Sequence, residues 1–120
     1  MLLAYIDAAY ASQCGRYFRR LGWEAEMVSS GVEARELAHE YRPDVVVLEV
    51  GLLDQSGWLT SAKISLEKPD LRIVLVADRL TEHTPDRLEM VGADHAVCRD
   101  QGAEALAQFI FGKAALPEAV

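Results

Sequence analysis

The sequence of 120 residues contains no asparagine and has only two cysteines, Cys14 and Cys98. Without asparagine there is no acceptor for N-glycosylation, and two cysteines are too few for the disulfide framework of a small secreted protein. The chain also lacks the run of roughly 20 apolar residues that a membrane-spanning helix needs. Residues 1–6 are apolar but have neither the basic region nor the cleavage site of a signal peptide. These absences predict a cytoplasmic protein with two reduced thiols and no membrane association.

Basic residues are in the minority, since 12 Lys and Arg stand against 19 Asp and Glu, a formal net charge of −7. An acidic domain repels the phosphate backbone, so we predict no nucleic-acid partner. The sequence also has no phosphate-binding glycine loop, no dinucleotide-binding glycine motif and no nucleophile elbow. These absences disfavour an NTPase, a Rossmann dehydrogenase and an α/β-hydrolase, and we predict no catalytic residues and no enzymatic activity.

The chain does contain the composition of one packed domain, because 51% of its residues are apolar and only 26% are charged, which excludes disorder. Five strand-like segments alternate with five helix-like segments. The strand-like segments are residues 2–6, 23–28, 44–49, 71–77 and 95–98, and the helix-like segments are residues 8–21, 31–41, 57–67, 84–91 and 103–112. We predict a domain over residues 1–113 and a short C-terminal tail over residues 114–120.

Local patterns give the ends of two helices and the class of the fold. Ser30 and Glu33 have the spacing of a capping box, and Thr84 followed by Pro85 predicts an N-cap and the first helical residue. The four aliphatic residues 45–48 predict a central strand that is buried on both faces. Strands that alternate with helices of this length predict an α/β fold, with five parallel strands and helices on both faces of the sheet.

In an open parallel sheet, functional sites lie at the carboxyl ends of the strands. The candidate residues at these ends are Asp7, Glu49, Val76, Ala77, Asp78, Arg99 and Asp100. Asp7 has a second interpretation, as the N-cap of the first helix. The four carboxylates could surround a cation, but the presence of Arg99 argues against this.

Several of these residues carry a resemblance to a known family. Residues 43–49 match the run that leads into a phosphorylated aspartate, Gly57 has the spacing of a loop glycine, and residues 92–94 are a Gly-Ala-Asp motif before the last strand. From residue 2 to about residue 112, the chain resembles the CheY-like receiver domain of two-component response regulators. The resemblance implies a flavodoxin-like strand order 2-1-3-4-5, a role in signal transduction, and a protein partner such as a sensor kinase.

The sequence departs from the family at nearly every position of the phosphorylation machinery. Glu49 stands at the phosphorylated aspartate, Ala8 at one of two acids, Val76 or Ala77 at the hydroxyl residue, Ala96 at the switch aromatic, Arg99 at the lysine and Asp100 at the proline that follows it. The loss of one acid predicts weak or absent Mg²⁺ binding and no resident metal or cofactor, with Asp7 and Glu49 as weak metal candidates. Because arginine holds carboxylates bidentately, we hypothesise that Arg99 pairs with Glu49 and closes the site.

These departures predict a stand-alone, degenerate receiver (a pseudo-receiver) that binds proteins without being phosphorylated. The alternative is a conventional phosphorelay receiver that accepts a phosphoryl group at the altered site. A third interpretation, a flavodoxin-like domain that binds a small ligand, is disfavoured by the short loops. Glu49 could mimic a phosphorylated aspartate, but without the hydroxyl and the aromatic we expect a locked domain. The stand-alone interpretation treats the chain as a complete protein that acts by binding. The alternative is that the chain is a receiver domain cut from a longer protein.

The predicted partner surface is the family's face made by the fourth helix, fifth strand and fifth helix, which is also a possible homodimer surface. Its candidate residues are Arg87, Met90, Ala96, Arg99, Ala103 and Phe109, with the alternative that some of them belong to the core. Asp54 is interpreted as a solvated loop acid rather than a substitute phosphoacceptor. His95 and Cys98 are three residues apart on a strand, so they point to opposite faces and do not form a metal site.

Overall fold

A computed structural model describes residues 1–111 of the chain. The last residues of the predicted domain, 112 and 113, and the predicted tail, 114–120, lie outside the described residues. The elements in chain order are β1 (Leu2–Ala4), α1 (Ala8–Arg20), β2 (Glu26–Val28), α2 (Gly31–Tyr41), β3 (Val45–Glu49), α3 (Gly57–Glu67), β4 (Arg72–Ala77), α4 (Thr84–Val91), β5 (His95–Cys98) and α5 (Gly102–Phe111). A short 3-10 helix, Arg99–Gln101, connects β5 to α5.

The five strands are all parallel and lie in the order β2-β1-β3-β4-β5. This confirms the predicted α/β fold and its flavodoxin-like strand order. β3 is central, with Val46 beside Leu2 of β1 and Ile73 of β4. Every residue of β3 is buried, as its aliphatic run predicts. Because the strands are parallel, their carboxyl ends meet at one edge, called the carboxyl edge below.

Different helices cover the two faces of the sheet. Successive residues of a strand point to opposite faces, so Val45 and Val47 pack in the core formed with α1 and α5. Val46 and Leu48 pack on the other face, in the core formed with α2, α3 and α4. Within residues 1–111, no helix combines the length and the apolar character needed to cross a membrane.

The first two strands are shorter than the sequence predicts. β1 ends two residues early, because the N–H groups of Ile6 and Asp7 donate to a side chain of β3 rather than continuing the ladder. β2 begins three residues later than predicted. The reason is that the N–H of Trp23 still donates to the carbonyl of Phe18, at the end of α1. A contact with a distant strand therefore sets the end of β1, and the local end of α1 sets the start of β2.

One of the two predicted helix caps is present. Ser30 Oγ accepts a hydrogen bond from the N–H of Glu33 at 3.0 Å, as expected of an N-cap. The prediction for Thr84 is wrong by one residue, because His83 occupies the N-cap position of α4. Thr84 Oγ1 instead accepts from the N–H of Thr81 at 2.9 Å, so its hydroxyl holds the preceding turn.

Candidate functional site

The carboxylate of Glu49 is buried in the middle of the carboxyl edge. Glu49 is the last residue of β3, and its side chain has 0% exposure. Its Oε2 accepts hydrogen bonds from the N–H of Ile6 at 2.7 Å and the N–H of Asp7 at 2.9 Å. The early end of β1 makes these two N–H groups available. The position predicted for a phosphorylated aspartate therefore holds a carboxylate that the chain's own donors already bind.

Arg99 occupies the other side of this carboxylate. Its Nε donates to Oε1 of Glu49 at 2.7 Å, which confirms the predicted pairing of the two residues. Its Nη1 lies 2.7 Å from Oδ1 of Asp78 and 3.9 Å from Oδ2 of Asp7. Burial opposes the charge, but the hydrogen bond to Glu49 and the surrounding carboxylates raise the pKa of Arg99 above its usual value. The centre of the site therefore carries a permanent cation.

Asp7 is the N-cap of α1 and also lies beside Arg99. Its Oδ1 accepts a hydrogen bond from the N–H of Tyr10 at 3.0 Å and so caps α1. Its Oδ2 faces Arg99 at a distance too long for a direct hydrogen bond. Ala8 follows as the first residue of α1 and is exposed. It presents a methyl group where the resemblance predicts a second carboxylate.

The last two residues of β4 carry hydrocarbon side chains. Val76 is the register partner of Glu49, and Ala77 is the register partner of Cys98. Both side chains are buried, and neither has the hydroxyl that the resemblance predicts beyond β4. Ala96 is also buried and has no ring that could move between two positions. Buried hydrocarbon side chains therefore occupy the positions at which the resemblance predicts a hydroxyl and an aromatic ring.

The carboxylate oxygens at this edge are not arranged as ligands of Mg²⁺. This ion needs a near-octahedral set of oxygens, several of them from water. Both oxygens of Glu49 are bound by N–H donors, one oxygen of Asp7 caps a helix, and the guanidinium of Arg99 lies among the carboxylates. Across residues 1–111, no group of three or more His, Cys, Asp or Glu side chains is placed to hold a metal ion.

Gly57 allows the loop after β3 to close tightly on the site. A Cβ at this position would lie 2.6 Å from the carbonyl oxygen of Glu49 and 2.8 Å from Cα of Val50. Both atoms belong to the backbone, so they could not move aside cheaply. The N–H of Gly57 also donates to the carbonyl of Val50 at 3.1 Å. The predicted loop glycine is thus required by a close approach of two backbone segments.

Asp54 has a structural role that the sequence interpretation missed. It is exposed, but its two carboxylate oxygens accept hydrogen bonds from the N–H groups of Gly31 at 2.9 Å and Val32 at 3.0 Å. These bonds lower the pKa of Asp54 below its usual value. The loop between β3 and α3 therefore caps the N-terminus of α2. An acid in a loop gives no sequence signal of a partner helix more than 20 residues away.

Comparison with known proteins agrees with this geometry. The family model described as "Response regulator receiver domain" matches residues 7–111. The chain belongs to this family. Receiver domains act in signal transduction, and they interact with kinases or other signalling proteins.

Individual relatives cover this receiver domain to different extents. It is 30% identical over 80 residues to response regulator GacA of Pseudomonas aeruginosa, a match covering 67% of this chain and 37% of GacA. It therefore spans less than two fifths of the length of the curated relatives it matches. Chemotaxis protein CheY4 of Vibrio cholerae has a TM-score of 0.84 at 17% identity, with 96% of each chain covered. A response regulator of Burkholderia pseudomallei, solved with a phosphorylated aspartic acid, has a TM-score of 0.79 at 20% identity, covering 98% of this chain and 65% of that one.

The predicted partner surface of this receiver domain needs two corrections. Ala96 of β5 is buried in the core formed with α2, α3 and α4, and Ala103 of α5 is buried in the core on the opposite face of the sheet. Arg87 and Met90 on α4 and Phe109 on α5 are exposed, as predicted. Arg99 is directed into the site and only partly exposed. The accessible part of this face therefore consists of the three residues on helices.

Proposed function

We propose that this receiver domain is a pseudo-receiver, a protein-binding module of signal transduction that works without phosphorylation of its own. The observation that carries the proposal is the buried pair of Arg99 and Glu49, with 2.7 Å between Nε and Oε1. The pair occupies the place where the family's phosphoacceptor and its lysine stand. The pair bears on three steps of the family's phosphorylation: attack by the carboxylate, binding of Mg²⁺ and the conformational switch.

The first consequence concerns the nucleophile. A carboxylate that attacks phosphorus must present an oxygen to the phosphodonor in line with the leaving group. Oε2 of Glu49 is held by two N–H groups and Oε1 by Arg99, and the side chain has no exposed surface. Separating a buried pair costs about 3–5 kcal/mol, or roughly two to four powers of ten in population. Attack by Glu49 would therefore require a rare conformation.

The second consequence concerns the metal. Transfer in the family needs Mg²⁺, and Mg²⁺ would have to enter beside the guanidinium of Arg99 and without the carboxylate that Ala8 replaces. Like charges at such short range repel strongly in a partly buried site. We therefore propose that Mg²⁺ binding is weak or absent.

The third consequence concerns switching. A phosphoryl group in the family draws a hydroxyl and then an aromatic residue inward, but here Val76, Ala77 and Ala96 offer neither. A carboxylate at Glu49 could imitate a phosphoryl group only through these absent residues. We propose that the domain has one conformation, which a sensor kinase or another signalling protein recognises. Arg87, Met90 and Phe109 are the accessible candidates for this contact or for a homodimer.

The test is a two-dimensional amide NMR spectrum recorded during titration with Mg²⁺ and then beryllofluoride, which mimics a phosphoryl group bound to an acceptor. We expect the amide signals of Asp7, Glu49 and Arg99 to stay in place. The intact mass after incubation with acetyl phosphate and Mg²⁺ should also show no added phosphoryl group. Concerted shifts of these three signals with those of α4 and β5, or a phosphorylated product, would instead identify a conventional phosphorelay receiver.

A variant that restores the family's residues provides the positive control. The triple substitution Ala8→Asp, Glu49→Asp and Arg99→Lys returns the second acid, the shorter acceptor and the lysine. We expect this variant to regain Mg²⁺-dependent shifts at the carboxyl edge, because its carboxylates are no longer bound by a guanidinium. Its fold is checked by far-UV circular dichroism before the titration.

A further inference from the structure

A large groove lies at the opposite end of the sheet from Arg99 and Glu49. Its volume is about 890 Å³, within the range of ligand-binding pockets. Its lining residues come from the amino ends of β1, β2 and β3 and from the segments before them, including the last turns of α2. The proposed pseudo-receiver function uses none of these residues.

The strand register places acidic residues on two sides of this groove. Leu2 of β1 is paired with Glu26 on one side and with Val46 on the other. Glu24 precedes Glu26 by two residues on the β2 side, and Asp44 precedes Val46 by two residues on the β3 side. Because β1 separates β2 from β3, the two sides stand about 10 Å apart, which is two strand spacings. The floor between them is formed by Met1 and Leu2.

The electrostatics of the groove favour a cation. Among the lining residues within 1–111, Glu24, Glu26 and Asp44 are exposed carboxylates, against one guanidinium, that of Arg42. The C-termini of α1 and α2 also end at this edge, and helix C-termini carry partial negative charge. A cationic group already lies there, since the ammonium of Met1 donates to the carbonyl of Glu24 at 2.7 Å.

This ammonium reports the charge of the groove. Burial has the largest influence on its pKa and lowers it below the usual value. The charges of Asp44, Glu24 and Glu26 all act in the opposite direction. All three carboxylates therefore act on the same cation, in agreement with their position in the lining of one groove.

Aromatic and aliphatic groups provide the rest of the lining. The side chain of Tyr41 is 73% exposed, at the last residue of α2. Trp23 is half-buried, with its ring 4.7 Å from that of Phe111, and is one of the lining residues. Aromatic faces attract guanidinium and ammonium groups, and Leu37 offers an apolar contact for the methylene stem of such a side chain.

We propose that this groove binds a basic peptide segment of a protein partner, with arginine side chains placed between the aromatic groups and the carboxylates. Arginine fits better than lysine, because its planar group can stack on Tyr41 while it binds a carboxylate. The partner contacts the end of the sheet that the Arg99–Glu49 pair does not reach. The inference therefore stands whether or not Glu49 can be phosphorylated.

The test uses the full chain and a fluorescein-labelled peptide of sequence Gly-Arg-Leu-Arg-Gly, with binding measured by fluorescence polarisation at low salt. We expect saturable binding that weakens as salt rises. Neutralising one carboxylate, for example by Asp44→Asn, should weaken binding roughly 1.5- to 5-fold, as expected of exposed ion pairs. The triple variant Glu24→Gln, Glu26→Gln and Asp44→Asn should weaken it roughly 3- to 100-fold, the product of three such losses.

A matched triple variant controls for net charge. The substitutions Asp86→Asn, Glu89→Gln and Glu104→Gln also remove three negative charges, but from exposed positions on α4 and α5. This variant should bind nearly as well as the unmodified chain, and a peptide with glutamine in place of arginine should not bind. Amide shifts should appear around Trp23 and Tyr41. Equal weakening by both triple variants, shifts confined to the carboxyl edge, or binding seen only after removal of residues 112–120 would overturn the proposal.

Discussion

The guanidinium of Arg99 and the carboxylate of Glu49 are 50 residues apart in the chain, and Nε of one lies 2.7 Å from Oε1 of the other. Glu49 ends the central strand, and Arg99 follows the strand at the sheet's edge. The same guanidinium reaches Asp78 beyond β4. One side chain therefore ties together the ends of three neighbouring strands.

Removing the cation should destabilise the fold. In the Arg99→Met variant, Glu49 stays buried with two N–H partners but no counter-charge. Breaking a buried pair costs about 3–5 kcal/mol, and partial exposure of Arg99 reduces the expected loss to about 2–4 kcal/mol in the free energy of unfolding. Urea denaturation measures it. Arg79→Met, at an exposed arginine of the loop after β4, is the control and should change stability by less than about 0.5 kcal/mol. Equal losses in both variants would show that the pair contributes nothing specific.

A methyl group at Gly57 should be poorly tolerated. The Gly57→Ala variant places Cβ against the backbone of Glu49 and Val50, and overpacking of this kind costs about 1–3 kcal/mol. Gly51→Ala, in the same loop, is the matched control. There the nearest atom is Cδ1 of Ile6 at 3.0 Å, at the end of a flexible side chain. Thermal unfolding should separate the two variants, and a Gly57→Ala protein as stable as Gly51→Ala would refute the close approach.

The cap that Asp54 supplies should depend on pH. Hydrogen bonds from Gly31 and Val32 lower the pKa of Asp54 in the folded protein, so this carboxylate stabilises the fold above the unfolded pKa of about 3.9. The contribution is lost as the pH falls through the folded value. Asp54→Asn should therefore lower stability at pH 6 and have a smaller effect below pH 3. Urea denaturation at several pH values gives the difference from the unmodified chain. Asp70→Asn, at another exposed loop acid, should show no such trend.

The two thiols should differ in reactivity. Cys14 has 0% exposure, and burial raises its pKa to about 11, whereas Cys98 is partly exposed. At pH 8 only about one Cys14 thiol in a thousand is ionised, and the thiolate is the reactive form. Alkylation by iodoacetamide followed by peptide mass spectrometry should find Cys98 modified and Cys14 protected until urea unfolds the chain. Modification of Cys14 at the rate of Cys98 in native conditions would contradict the packing described for α1.

The sequence was sufficient to predict the fold because its strongest signals are local. The aliphatic residues of β3 and β4 can be buried on both faces only in a central position, and Ser30 caps α2 through a bond to Glu33. The pairing of Arg99 with Glu49 was also predictable. Both stand at strand ends that a parallel sheet brings together, and their charges are opposite.

What the sequence did not reveal depends on contacts between distant elements. β1 ends early because two backbone N–H groups beyond it donate to the carboxylate of Glu49. The capping role of Asp54 depends on the approach of α2 to the loop that contains Asp54. Ala96 and Ala103 were candidates for the partner surface, with the core as the alternative, and the structure places both in the core. A small apolar side chain suits either environment, and only the packing of a helix onto the sheet decides between them.

The order of the strands also indicates when the Arg99–Glu49 pair forms during folding. β5 is joined to β3 only through β4, so Arg99 can reach Glu49 only after two strand pairings have formed. Contacts that depend on so much prior chain closure form late in folding. An interaction absent from the transition state acts on the rate of unfolding rather than on the rate of folding. We therefore expect the effect of Arg99→Met to appear on the unfolding limb of a denaturant chevron, where this ion pair governs how long the native domain persists.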